Sequence, residues 1–65
     1  MWLHFGPIRF PVLQSGGMEI KVSNPEAVPL GDAVVEIIVD GRSHCHAVRV
    51  LAERPRPNWI AIEDR

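Results

Sequence analysis

The chain has 65 residues, of which 46% are hydrophobic and 23% charged, with a formal net charge of −1 and a single cysteine. That length allows one small domain, residues 1–65, and the apolar content argues against disorder. One thiol rules out an intrachain disulfide, and the near-neutral charge weighs against a dedicated duplex-DNA binder, whose affinity rests on neutralising phosphates.

A domain near this size buries only about 60% of its unfolded surface, so a partner subunit, a metal or a well-formed core is needed to hold it. No apolar run approaches the roughly 20 residues of a membrane span, and the N-terminus lacks the charged n-region of a signal peptide. A lone thiol fits a reducing compartment, so a cytoplasmic protein without membrane partners is expected.

The opening segment, MWLHFGPIRF, is strongly apolar. Trp2, Leu3, Phe5, Ile8 and Phe10 either dock on their own domain or form an exposed interface patch. A third reading makes residues 1–17 an N-terminal extension ahead of a domain that starts near Met18. The first strand is expected over Ile8–Gln14, with Ile8, Phe10 and Val12 on one face. Pro7 and Pro11 lack amide donors, which assigns that strand to an edge or a bulge. Ser15-Gly16-Gly17 reads as a turn.

A second strand is expected over Met18–Ser23, where Met18, Ile20 and Val22 alternate with polar Glu19, Lys21 and Ser23. Asn24–Asp32, with Asn-Pro and Pro-x-Gly breaks, reads as a crossover loop. The third strand, Ala33–Val39, and the fourth, Ser43–Glu53, flank Asp40-Gly41, the strongest short-range hairpin signal in the chain. Arg54-Pro55-Arg56-Pro57 disfavours helix and leads into a fifth strand, Trp59–Glu63.

Six prolines and five glycines leave almost no room for helix, and the long proline-free stretch is rich in β-branched residues. The expected fold is therefore all-β: a small five-stranded antiparallel meander curling into an SH3-like or OB-like barrel or half-barrel. An open sheet that dimerises through its apolar face is the alternative.

His44-Cys45-His46 raises the question of a metal. Side chains alternate along a strand, so the two imidazoles share one face and the thiol takes the other. A zinc site needs two further ligands at roughly 2.0–2.3 Å, and His4, Glu36 and Asp40 are the candidates, none at a recognised ligand spacing. No metal and no cofactor are expected, with His44 and His46 the weak candidates for one.

The face they occupy depends on the turn. A two-residue loop places His44 and His46 with Val35, Ile37 and Val39. A three-residue loop with a bulge shifts the register by one, placing Cys45 and Ala47 on the valine face and the imidazoles beside Glu36. The second arrangement is chemically more comfortable and is the one expected, with Cys45 an inert core residue and Glu36 favouring charged histidines.

Catalysis has little support. Cys45 lacks a base on its own face, and Ser15, Ser23 and Ser43 lie in or near turns. Gly16-Gly17 lacks the lysine and helix of a phosphate loop, and the paired carboxylates Glu63 and Asp64 lie near the chain end. Binding is better supported. Arg49, Arg54 and Arg56 gather around the end of the fourth strand. Trp59 alternates with the core pair Ile60 and Ile62, so partial exposure is expected.

An exposed tryptophan rimmed by arginines, together with Trp2 and Phe5, is the expected interaction surface. The function expected is a non-catalytic protein-interaction module that self-associates as a homo-oligomer. The alternative is a small barrel binding single-stranded DNA or RNA, with Trp59 as a stacking platform. A small metal-binding module is the third reading.

Overall fold

The computed structural model describes residues 1–65. It contains seven strands: β1 (Trp2–Phe5), β2 (Ile8–Pro11), β3 (Gln14–Ser15), β4 (Glu19–Lys21), β5 (Gly31–Val39), β6 (Arg42–Val50) and β7 (Trp59–Asp64). A single 3₁₀ turn covers Pro25–Ala27. The strands join in the order β2-β1-β5-β6-β7-β4-β3, every pair antiparallel. The sheet is all-β and curled into a half-barrel.

The sequence pattern predicts five strands and seven are present, for two local reasons. Trp2–Phe5 is itself a strand, paired with β2 on one side and β5 on the other. Gly6 has φ 56° and is followed by Pro7, the glycine-first pattern of a type II′ hairpin turn. The expected strand Ile8–Gln14 is broken at Val12 and Leu13. There the amide of Val12 still bonds the carbonyl of Met1, while the amide of Leu13 bonds the carbonyl of Lys21. Two residues thus carry the chain from one edge of the sheet to the other, which bends the sheet upon itself.

Leu3 of β1 has no exposed surface. The apolar N-terminal segment is therefore docked on its own sheet, with Phe5 and Phe10 in edge-to-face contact at 6.3 Å.

Asp40 (φ 51°) and Gly41 (φ 76°) make the turn between β5 and β6, and Val39 pairs directly with Arg42. Positive φ at both central residues defines a type I′ turn, whose twist matches that of the flanking strands. No bulge forms, which corrects the expected register. Val35 faces His46, Ile37 faces His44, and Glu36 faces Cys45. Cys45 is exposed, not a core residue. The two-residue turn prevails because Asp and Gly both tolerate positive φ, so no third residue is needed.

The core consists of Leu3, Ile20, Val22, Val28, Ala33, Val35, Val48, Val50 and Ile60. Ile20 and Val22 point inward as their alternation predicts. Met18 does not: it precedes β4 and is exposed, while its carbonyl accepts from the amide of Ile62. The 24–32 crossover is anchored by buried Val28, and its last two residues already belong to β5. Asn58, at φ 68°, donates from Nδ2 to the carbonyls of Val22 and Ser23 at 3.1 Å each, fixing the turn before β7 to the end of β4.

Candidate functional site

β5 and β6 are nine residues each, a span of about 30 Å. The molecule measures 31 × 20 × 19 Å, so this hairpin accounts for its long axis. The neighbouring strands cover only part of it. β1 pairs with β5 over Val34–Glu36, and β7 pairs with β6 over Val48–Val50. One further bond, from the amide of Arg65 to the carbonyl of Ala47, ends that coverage. The distal ribbon, Ile37 to His46, projects beyond its neighbours, with Ile38 53% and Val39 51% exposed.

The turn also dictates which backbone groups lie on the open edge. Val39 and Arg42 close a type I′ hairpin, so even-numbered residues of β6 bond β5 and odd-numbered ones face away. The Ala47 carbonyl and the Leu51 amide, both directed toward β7, obey this parity. Hence Ser43 and Cys45 direct both amide and carbonyl outward, where no strand meets them. This edge is the feature that sequence reasoning passed over. Its signal is a run from Arg42 to Val50 with no proline, no lysine and no bulge.

His44 and His46 share the face of Ile37 and Val35. Both imidazoles stay exposed to solvent there, while Ile37 on the same face packs against the core. His46 borders a cleft of about 190 Å³ floored by Ile20, Val35, Ile37, Val48 and Ile62. No group of three or more His, Cys, Asp or Glu side chains comes together in a metal-holding arrangement.

Glu36 serves other partners than those expected. Its carboxylate accepts from Ser43 Oγ at 2.5 Å and from His4 Nε2 at 2.7 Å, across the β1–β5 pairing. The Ser43 hydroxyl, then the His4 imidazole, hold the Glu36 carboxyl below its ordinary value. Serine, glutamate and histidine meet here, but the carboxylate sits in the middle. Catalytic order needs a base between nucleophile and orienting acid, and a carboxylate held well ionised is a weak base.

The arginine and tryptophan set is distributed differently from the expected exposed patch. Trp59 is only 8% exposed, which corrects the expectation. Both Trp59 and Ile60 are buried because the start of β7 is covered on two sides, one by the core and one by the 54–58 turn. The Arg56 guanidinium lies 4.1 Å from the Trp59 ring centroid and also contacts Glu19. Arg54 bonds the carbonyls of Leu51 and Glu53 at 2.8 and 3.2 Å.

Arg49 lies between Asp32 at 3.5 Å and Glu63 at 3.3 Å. Arg54 and Arg56 border a polar groove of about 730 Å³ that also includes Asn24, Glu26 and Asn58. On the opposite flank, Arg9 stacks over half-buried Trp2 at 4.1 Å. Phe5 is half-buried against the core.

No family model matches this chain, and no curated protein and no solved structure matches it either. No helix of the structure is long and apolar enough to cross a membrane.

Proposed function

We propose that this chain is a non-catalytic protein-interaction module that self-associates, and that the distal β5–β6 ribbon is its contact surface. A single observation carries this reading: the ribbon extends past both neighbouring strands, leaving Ile38 and Val39 more than half exposed beside an open backbone edge. Exposed strand edges pair with other strands unless they are blunted, and this one is not. Adjacent apolar side chains add burial of about 25 cal/mol per Å² when covered.

The same reading places the curled sheet among small barrels of the SH3-like or OB-like kind. Its support is the short link at Val12 and Leu13 that joins the two sheet edges. The contact surface differs from the Trp2, Phe5 and Trp59 patch that composition suggests, because those side chains are spent on the fold itself. The single-stranded nucleic-acid reading ranks below this one, since Trp59 lies under Arg56 and the arginines have partners within the chain.

The test is sedimentation of the wild-type chain across a wide concentration range. Association that grows with concentration is the expected result. A wild type that stays monomeric throughout would refute the proposal.

A further inference from the structure

We infer that β6 pairs antiparallel with β6 of a second copy of the chain, about a two-fold axis at His44. This rests on the self-association reading and specifies its geometry. The edge open to a partner runs from Arg42 to His46, because the carbonyl of Ala47 already accepts from the amide of Arg65. Its midpoint is His44. Rotation about that point places Ser43 opposite Cys45 of the second copy, and Cys45 opposite its Ser43.

Both residues direct amide and carbonyl outward, so the two-fold closes four hydrogen bonds and leaves no group of either residue without a partner. A register centred on Cys45 instead would place Ser43 of the second copy where Arg65 already sits.

Three observations favour a second copy as the occupant. The outward pattern is symmetric about His44, as an isologous contact requires. The residues that meet at the hydrogen-bonded pairs are small and uncharged, and the chain's formal charge is only −1, so two copies approach without strong repulsion. The other edges offer less: β2 contains Pro11 and follows Pro7, β3 has two residues, and the distal β5 edge turns only Ile38 outward, one residue against the two of β6. Pairing joins the ribbons into one four-stranded sheet, β5-β6-β6-β5. A contact of five residues per copy is small, so the dimer is weak and dissociates on dilution.

Two measurements test the geometry separately from self-association. The first is disulfide capture in the Cys45→Ser background. His44→Cys places two thiols at the axis, where facing Cα atoms in a non-hydrogen-bonded pair lie about 4.5 Å apart, within reach of a disulfide. Mild oxidation should give a covalent dimer. His46→Cys, on the same face but two residues along, should give far less.

The second is Cys45→Pro, which removes an amide that has no partner in the monomer. It should abolish the dimer and leave the melting temperature of the dilute protein unchanged. Should proline disturb the strand, Cys45→Lys sets a charge against the axis instead. Equal capture at His44→Cys and His46→Cys, or a dimer indifferent to proline and lysine at Cys45, overturns the two-fold while self-association stands. A chain monomeric at every concentration overturns both and leaves the edge to a foreign strand.

Discussion

Glu36 and His4 meet across the β1–β5 pairing, carboxylate oxygen to Nε2 at 2.7 Å, in a chain where the carboxylate faces Cys45 on β6. The contact ties the N-terminal strand to the hairpin that carries the proposed interface. Because Ser43 and His4 lower the Glu36 value below the reference 4.5, the unfolded chain binds a proton there more readily than the folded one. This stabilisation is complete above about 4.5 and disappears as pH falls through the lowered folded value. Urea unfolding of wild type and Glu36→Gln should therefore diverge near neutrality and converge in acid. A gap that stays constant down to strongly acid pH would contradict the assignment.

The type I′ turn gives a clean backbone prediction. A Cβ built on Gly41 meets no atom within 4 Å, yet its φ of 76° disfavours any L side chain. Gly41→Ala should destabilise the fold by about 1 kcal/mol or somewhat more, through conformation alone. Gly17, equally uncrowded and without positive φ, supplies the control: Gly17→Ala should be close to neutral in thermal unfolding. A neutral Gly41→Ala would point to a longer loop and a shifted register.

Leu3 measures how far the N-terminal segment belongs to the core. It is fully buried in β1 and packs with the β5 and β6 valines. Leu3→Ala should cost about 2–5 kcal/mol, a large part of the stability of a domain this small. Denaturant titration measures it. A loss below about 0.5 kcal/mol, the size of an ordinary surface substitution, would show that the segment is only loosely attached.

Arg56 covers Trp59, and its removal should be visible in the indole. Arg56→Ala uncovers the ring face at 4.1 Å and frees Glu19. The Trp59 emission should shift to the red and its collisional quenching rise, with a stability loss of about 0.5–2 kcal/mol. Trp2→Phe removes the second indole signal and isolates the effect. Unchanged quenching would mean that Trp59 is shielded by the sheet alone.

Much of the fold is legible in the sequence, since Asp40-Gly41 fixes the hairpin, β-branched residues mark β5, and the alternation of Ile20 and Val22 with polar residues marks β4. The bend at Val12 and Leu13 is not. Alternation continues through it, and only the switch of backbone partners from Met1 to Lys21 reveals the break. β1 is obscured by its four-residue length and by the Gly-Pro that follows. The exposure of Trp59 fails because alternation assigns a side chain to a face and does not say whether that face is covered; here the 54–58 turn, with Arg56, covers the second face.

The register fails for a related reason. Sharing the valine face does not bury the histidines: Ile37 packs against the core while His44, directly across from it, stays exposed. The open edge at Ser43 and Cys45 follows from strand pairing, since β7 and the Arg65 amide meet β6 from Ala47 onward, and local pattern does not encode which residues pair.

Amide hydrogen exchange at Ser43 and Cys45, measured at low and high protein concentration, probes the central claim most directly. These two amides face outward and bond no neighbour in the single chain. Fast exchange in dilute solution that slows markedly on concentration is the predicted result, while the amide of Leu51, bonded to the carbonyl of Ala61, stays protected in both. Fast exchange at Ser43 and Cys45 at every concentration would contradict it.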